Sequence, residues 1–230
     1  MGSKLSATVV GLMFVVAVAI GVKTMVFGQV RTEKLPAPVL DEHPAATAHS
    51  ETAVFAGGCF WGVQTTFERI KGVTATTAGY SGGSKETANY SAVSSETTQH
   101  AESVKVVFDP ARISYGTLLR VFFSVVHDPT QLNRQGNDVG TSYRSAIFFT
   151  TPEQEKIANA YIAQLDAAKA FPRKIVTEVV PLKAFYDAED YHQDYAEKNP
   201  DNPYIQVCDI PKVAALKAQF PELFQEHKSK

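Results

Sequence analysis

Cys59 is the residue of this sequence best placed to act as a nucleophile. It follows Gly57 and Gly58, which end the short β-prone run at residues 52–56. The apolar residues after it recur at helical spacing: Phe60, Val63, Phe67 and Ile70. A cysteine at the start of a helix lies among unpaired backbone N–H groups and at the positive end of the helix dipole, and both favour the thiolate. The alternative is a buried structural cysteine, since cysteine is among the most buried residue types.

Two aromatic residues follow this cysteine directly. Phe60 and Trp61 occupy successive helical positions and cannot face the same way, so we expect at least one to lie near the surface beside the thiol. An exposed aromatic side chain there indicates an apolar substrate pocket. Without further context, packing of both rings in the core is an equal alternative.

The elements that must position Cys59 alternate between strand and helix. Alternating apolar residues predict strands at 52–56, 104–108, 144–150, 175–182 and 204–210. Helical spacing predicts helices from 59, 113–126, 152–168 and 212–224. The order βα, βα, βα predicts an α+β fold, a two-layer α/β sandwich in which helices cover a mixed sheet with a ferredoxin-like βαβ core.

Composition limits the classes of function. The chain is 44% hydrophobic, enough to bury one ordinary core, and its net charge is -2. This balance gives no basic surplus for nucleic acid. The two cysteines, Cys59 and Cys208, form neither a disulfide scaffold nor a zinc motif.

The amino-terminal part does not resemble the rest of the chain. Residues 7–22 are an apolar run between Lys4 and Lys23, so residues 1–28 are predicted to be a signal peptide or a membrane anchor. No clear cleavage site follows, which favours an anchor. Residues 29–50, with three prolines, are predicted to be a flexible linker, and residues 51–230 the catalytic domain. We expect an extracytoplasmic protein, periplasmic or secreted, held at the inner membrane by this segment.

The run from Gly57 to Gly62, GGCFWG, resembles the active-site signature of the A class of peptide methionine sulfoxide reductases, which act on the S epimer of the sulfoxide. Further segments agree with that family in order: Gly79-Tyr80-Ser81-Gly82-Gly83, His100-Ala101-Glu102, Phe108-Asp109-Pro110, His127-Asp128-Pro129-Thr130, Gln135-Gly136-Asn137-Asp138, Gly140-Thr141, Tyr143-Arg144-Ser145 and Tyr191-His192-Gln193. The resemblance extends from about residue 54 to residue 224.

The resemblance implies reduction of methionine S-sulfoxide, free and in proteins, as a repair of oxidative damage. Cys59 would attack the sulfoxide sulfur and become a sulfenic acid, and Glu102 would donate a proton to the oxygen. Such a proton donor needs a carboxyl whose pKa is raised by an apolar pocket. The reaction needs no bound cofactor and no metal, but an external reductant, thioredoxin or another dithiol, completes the cycle.

The family pattern also implies the substrate-binding residues. Tyr90 and Tyr143 match the tyrosines that hydrogen-bond the sulfoxide oxygen, and Asp138 matches the carboxylate that supports them. Phe60 and Trp61 match the pocket for the substrate's methyl group. The implied partners are methionine-sulfoxide-containing proteins, free methionine sulfoxide and a thioredoxin-like reductant.

The carboxy-terminal cysteine departs from the family pattern. Cys208 lies in a β-prone run, where many members have a glycine-rich segment with a resolving cysteine. This favours an inert Cys208 on a strand, with direct reduction of Cys59 by an external thiol, and a resolving Cys208 is the alternative.

Two readings from other classes compete with the reductase. A cysteine hydrolase would need a histidine as base to Cys59. A membrane-tethered binding domain would need only a buried, unreactive Cys59. His100, His127 and His192 have acidic neighbours and could suggest metal ligation, but structural hydrogen bonding is the favoured role.

Overall fold

A six-stranded sheet organises the residues described by the computed structural model, 34–42 and 50–227. The strands are β1 (Glu51–Gly57), β2 (Val73–Ser81), β3 (Ala101–Phe108), β4 (Arg134–Gln135), β5 (Asp138–Val139), β6 (Ser145–Phe149), β7 (Glu178–Pro181) and β8 (Phe185–Asp187). The α-helices are α1 (Phe60–Glu68), α2 (Tyr90–Val93), α3 (Tyr115–Val121), α4 (Pro152–Ala167), α5 (Tyr195–Lys198) and α6 (Ile210–Gln219). The sheet order is β7-β6-β1-β3-β2-β8, and β4 pairs only with β5.

The sheet contains the predicted ferredoxin-like core. β3 lies between β1 and β2 and is antiparallel to both, so β1-α1-β2 is a split βαβ unit. β6 is antiparallel to β1 on its other side, which makes β3-α3-β6 a second such unit. The resulting order β6-β1-β3-β2, with helices against the sheet, confirms the α+β prediction.

Aromatic packing joins the helices to the sheet. Phe55 of β1 stacks on Phe67 of α1 at 5.1 Å and on Phe122 after α3 at 5.0 Å between ring centroids. The opposite face of the sheet carries a smaller apolar cluster that includes Val54 and Phe148, with Leu182 packed against it. The larger core therefore lies on the side of α1, and α1 carries the candidate nucleophile at its start.

Residues 34–42, here called the N-terminal strap, pack on the domain instead of forming the expected solvated linker. The Leu35 side chain is 1% exposed. Its carbonyl accepts a hydrogen bond of 2.7 Å from Arg120, and the Pro36 carbonyl accepts one of 2.8 Å from the Tyr161 hydroxyl. Side chains from α3 and α4 thus satisfy backbone groups of a segment that has no secondary structure of its own.

The strap ends by capping a helix. Asp41 accepts hydrogen bonds from the Gly116 backbone N–H at 2.8 Å and from the Ser114 hydroxyl at 2.6 Å. These contacts satisfy a donor that the first turn of α3 would otherwise leave unpaired. At the other end of the strap, the Lys34 ammonium lies 2.7 Å from the Glu222 carboxylate.

The strand predicted at 204–210 is wrong. Residues Ile205–Asp209 form a π-helical turn that continues directly into α6. Ile205 and Asp209, four positions apart, are the buried members of this turn, whereas Val207 is exposed. A strand would place Val207 on the same face as Ile205 and Asp209, so its exposure excludes the period of two that a strand requires and fits a helical turn.

The predicted signal peptide or anchor at 1–28 lies outside the described residues. Within 34–42 and 50–227, no helix combines the length and apolarity needed to cross a bilayer.

Candidate active site

Cys59 is the N-cap residue of α1, at the predicted junction of strand, glycine turn and helix. Gly58 adopts φ +92°, a conformation that L side chains rarely take, and a Cβ there would lie 2.8 Å from the Gln135 side chain. Cys59 is 8% exposed, and its side chain makes no capping hydrogen bond to the helix. The sulfur still lies at the start of the helix, as expected, where the Trp61 backbone N–H acts to lower its pKa.

Glu102, the second residue of β3, brings a carboxyl to this sulfur. Its side chain is 3% exposed and accepts a hydrogen bond of 3.0 Å from the Phe60 backbone N–H. The Cys59 thiol and this carboxyl also interact electrostatically. Burial, reinforced by Asp138 and Glu96, raises the pKa of Glu102 to about 8. Glu102 therefore holds a proton at neutral pH, as the acid role requires.

The protonation of Cys59 differs from the sequence expectation. Burial, together with Glu102 and Asp209, raises the pKa of the Cys59 thiol well above its usual value, against the opposing effects of the Trp61 N–H and Lys212. Desolvation disfavours the charged form of any group, and here it outweighs the helix N-terminus. The resting site thus contains a neutral thiol beside a neutral acid.

An aromatic wall borders the thiol. The Phe60 ring is buried in the core, 4.9 Å from the His192 ring between centroids. Trp61 is partly exposed and stacks on Tyr195 at 3.8 Å with an interplanar angle of 9°. Its indole N–H donates to His192 Nδ1 at 3.1 Å. One ring is thus in the core and the other reaches the surface, which fits an apolar pocket with a fixed wall.

Two phenol groups also lie near the thiol. Tyr90 and Tyr143 both interact electrostatically with Cys59 and Glu102, and burial followed by these two neighbours raises the pKa of each phenol. Both tyrosines therefore carry hydroxyl protons that can be donated. Asp138 accepts a hydrogen bond of 2.6 Å from the hydroxyl of Tyr204. The site residues inferred from the family pattern thus converge around one sulfur.

Two carboxylates hold the segments that carry Tyr90 and Tyr143. Glu189 accepts hydrogen bonds from the Tyr90 backbone N–H and from the Tyr80 hydroxyl, each at 2.9 Å. Glu96 accepts from the Ser142 backbone N–H at 3.0 Å and from the Ser142 hydroxyl. Tyr90 begins α2, and Glu189 fixes its backbone N–H. Tyr143 follows Ser142, whose backbone N–H is fixed by Glu96.

The three histidines make structural hydrogen bonds. His100 contacts the Ser84 carbonyl at 2.9 Å, His127 contacts the Ser145 hydroxyl at 2.7 Å, and His192 accepts from Trp61. Burial lowers the pKa of His127 to about 4, so this ring is neutral at pH 7. Their hydrogen bonds are directed to groups other than Cys59, which disfavours the hydrolase reading.

One group among the described residues has ligand spacing for a cation. Donor atoms of Glu68, Glu197 and His227 lie within 4.8 Å of one another, at the end of α1 far from Cys59. Arg69 forms an ion pair with Glu197, and the Thr76 hydroxyl donates to Glu68 at 2.8 Å. These partners explain the cluster without an ion.

Cys208 is a free, partly exposed thiol in the π-helical turn and not on a strand. Burial and then Asp209 raise the pKa of Cys208. Three groups in this carboxy-terminal segment were not predicted from the sequence: Tyr204, Asp209 and Lys212. No local pattern in the sequence marks them as part of a site.

The family model described as peptide methionine sulfoxide reductase matches residues 51–223. The chain is similar to peptide methionine sulfoxide reductase MsrA 2 of Synechocystis, with 54% identity over 82% of this chain and 89% of the relative. Methionine sulfoxide reductase A of Corynebacterium diphtheriae has a similar structure, with a TM-score of 0.56 and 35% identity over 74% of this chain and 89% of that one. Mxr1 of Saccharomyces cerevisiae in reduced form gives a TM-score of 0.61 and 31% identity over 71% and 92%.

Proposed function

This chain belongs to the peptide methionine sulfoxide reductase family and reduces methionine S-sulfoxide to methionine in protein repair, and we propose that Cys59 is its nucleophile and Glu102 its acid. The observation that carries this assignment is the burial of the Glu102 carboxyl at the helix start beside Cys59, where it accepts from the Phe60 N–H at 3.0 Å and interacts electrostatically with the thiol. A neutral thiol and a neutral acid side by side store two protons where the sulfoxide oxygen must bind.

Those two protons balance the first step. Cys59 Sγ bonds to the sulfoxide sulfur, the S–O bond breaks, and the protons of the Cys59 thiol and Glu102 leave with the oxygen as water. Water then attacks Sγ, and the electron pair of the bond between the two sulfurs stays on methionine. The proton that this water loses returns to Glu102. Cys59 ends as a sulfenic acid, oxidised by two electrons, while the methionine sulfur is reduced by two.

The surrounding side chains select the substrate. The Trp61 face and the Phe60 ring supply an apolar surface for the methyl group, which needs no charge partner. The Tyr90 and Tyr143 hydroxyls donate to the sulfoxide oxygen, where negative charge develops as the S–O bond lengthens. Asp138 supports this side of the pocket through Tyr204.

The sulfenic acid must be reduced before the next turnover. We propose that thioredoxin or another dithiol acts directly on Cys59, because Cys208 lies in an ordered helical turn and not in a flexible segment. In the alternative arrangement, Cys208 first forms a disulfide with Cys59, and two thiols are lost per turnover in place of one.

The test is a single turnover of the full chain in detergent, without reductant, on the separated S and R epimers. We expect one methionine from the S epimer, none from the R epimer, and one thiol lost. Loss of two thiols would make Cys208 the resolving residue. Cys59→Ser should give no methionine, with Cys208→Ser as the matched control that still gives one. Methionine formation by Cys59→Ser would overturn the assignment.

We further propose that residues 1–28 hold the enzyme at the inner membrane with the catalytic domain outside the cytoplasm. The support is the apolar run at residues 7–22, flanked by lysines. In intact cells, a membrane-impermeant thiol reagent should label the full chain, and a chain starting at residue 34 should be protected in the cytoplasm. Equal protection of both chains would contradict this location.

A further inference from the structure

A buried ion pair lies behind the nucleophile and has no part in the steps above. Asp209 ends the π-helical turn, and Lys212 lies in the first turn of α6, with 3.2 Å between the carboxylate and the ammonium. The Asp209 side chain is 1% exposed and that of Lys212 12%. Among the described residues, Asp209 Oδ2 has no hydrogen-bond partner.

Such a pair is a poor way to stabilise a fold. Removing two charges from water costs several kcal/mol, and an unsatisfied oxygen adds to that cost. An apolar pair of similar volume is often as stable or more so. The position of the pair, and not its strength, is therefore the feature that needs an explanation.

Gly62 brings the pair against the turn that holds Cys59. A Cβ at Gly62 would collide with Asp209 Oδ1 and Lys212 Nζ, and would lie 2.9 Å from Asp209 Cγ. Gly62 is in the first turn of α1, for which Cys59 is the N-cap. The missing side chain thus lets two opposite charges approach the start of this helix.

We propose that Lys212 and Asp209 are positioning residues that set the charge on the nucleophile: the Lys212 ammonium stabilises negative charge on Cys59, and Asp209 holds that ammonium and opposes it. Burial alone would lower the pKa of Lys212, but Asp209 and Cys59 outweigh it and raise this pKa, so the ammonium stays charged. The inference rests on Cys59 as the proposed nucleophile.

Apart from the Asp138 carboxylate, which the Tyr204 hydroxyl holds through a hydrogen bond of 2.6 Å, the groups that face Cys59 are uncharged at neutral pH. Glu102 of β3 is protonated there, because burial raises its pKa to about 8. The phenols of Tyr90, Tyr143 and Tyr204 keep their protons, because burial raises the pKa of each. Charges at Lys212 and Asp209 can therefore act on the sulfur without being cancelled by these neighbours.

The proposal predicts opposite effects from the two halves of the pair. Lys212→Met removes the cation and keeps the Asp209 carboxylate, so it should raise the pH midpoint of Cys59 alkylation. Asp209→Asn removes the anion and keeps the Lys212 ammonium, so it should lower that midpoint. A shift of about one pH unit in each direction corresponds to about a tenfold change in the alkylation rate at neutral pH. The double variant should return to within about threefold of the unmodified enzyme.

The experiment measures the rate of iodoacetamide alkylation between pH 6 and 11 on the full chain, and the shift in the midpoint is read from the displacement of the rate profile along the pH axis. Mass spectrometry of the peptide containing Cys59 separates its alkylation from that of Cys208. Lys217→Met is the matched control, because Lys217 lies in the same helix, is 62% exposed and pairs with Glu226. This control should leave the midpoint unchanged.

A purely structural pair would give a different pattern. Both single variants would then lower the melting temperature, with the alkylation midpoint unmoved or moved in the same direction, and either result would overturn the proposal. If Asp209→Asn fails to fold, Lys212→Met and the charge-preserving Lys212→Arg decide, since only the former should shift the midpoint. Alkylation reports the charge at Cys59 without any turnover, so a failure of the reductase assignment is recognised separately in the single-turnover assay.

Discussion

The Tyr204 hydroxyl donates a hydrogen bond of 2.6 Å to the Asp138 carboxylate, joining the carboxy-terminal helical turn to the loop that leads to Tyr143. The Tyr204 ring also meets the Trp61 ring edge to face, with centroids 5.9 Å apart. Burial, with Cys59 and Asp138, raises the pKa of the Tyr204 phenol, so this donor keeps its proton. The carboxy-terminal segment thus borders the candidate substrate pocket.

Tyr204→Phe removes this hydrogen bond and keeps the ring. We expect kcat/KM for S-sulfoxide to fall about tenfold, because a hydrogen bond to a charged acceptor is worth about 1.5 kcal/mol or more. Tyr186→Phe, on the edge strand β8, is the control and should stay within twofold. Equal kcat/KM for Tyr204→Phe and the unmodified enzyme would show that Asp138 needs no such partner.

Glu102→Gln should abolish the alkaline limb of the activity profile. In the proposed role Glu102 donates a proton, and its pKa is about 8, so kcat of the unmodified enzyme should decline as pH rises through about 8. The amide can still accept from the Phe60 N–H but cannot supply a proton, so kcat should fall about 100-fold or more. Single-turnover rates from pH 6 to 10 test this. If Glu102→Gln keeps a near-normal kcat and the same decline at alkaline pH, Glu102 is not the acid.

The same substitution should change the pH dependence of stability. The pKa of Glu102 in the folded state, about 8, lies above its ordinary value, so the folded state binds this proton more tightly than the unfolded chain. That contribution is complete below pH ~4.5 and is lost as pH rises through about 8. Relative to Glu102→Gln, the unmodified protein should lose on the order of 3 kcal/mol of unfolding free energy between pH 5 and 8.

Urea unfolding at several pH values measures this difference. Glu155→Gln, an exposed position in α4, serves as the control and should show a constant offset. If the difference in unfolding free energy between Glu102→Gln and the unmodified protein is also constant with pH, then Glu102 is ionised in the folded protein at neutral pH.

Leu35→Ala should destabilise the domain although it lies before the predicted domain boundary. The side chain is 1% exposed, and truncation of a buried leucine costs about 2–5 kcal/mol. Val39→Ala, in the same strap but 90% exposed, should cost less than about 0.5 kcal/mol. Urea midpoints compare the two. Equal midpoints would mean that the strap is detached in solution, and kcat should be unaffected in both.

Most strands and helices of the core follow from periodicity, but β2, the strap and the carboxy-terminal turn do not. The residues of β2 belong to a stretch rich in Gly, Ser and Thr, which is typical of a loop. The strap is held by one leucine and by carbonyls that accept from Arg120 and Tyr161, partners distant in sequence. No local pattern can reveal such acceptors. The turn at Ile205 was predicted as a strand because Tyr, Ile and Val have high β-propensity, which depends on packing context.

For the site, the residues matched by the family pattern lie near Cys59, but the local sequence indicates a thiolate where the structure holds a neutral thiol. A helix N-terminus favours a thiolate, yet burial and neighbouring carboxyls outweigh it here. Burial is a tertiary property that the sequence around Cys59 does not display. Lys212 and Asp209 were missed because their role depends on the space left by Gly62.

The contact of Lys34 with Glu222, and of its ammonium with the Phe220 ring at 4.6 Å, brings the two described ends of the domain together. Ends that meet on one surface can be joined by a short connection while the chain is opened elsewhere. A circularly permuted enzyme, joined there and opened within an exposed loop, should therefore fold around the same sheet. The new chain ends of such a permutant would lie at the loop that was opened. A membrane anchor fused there would attach the domain through the face that carries this loop.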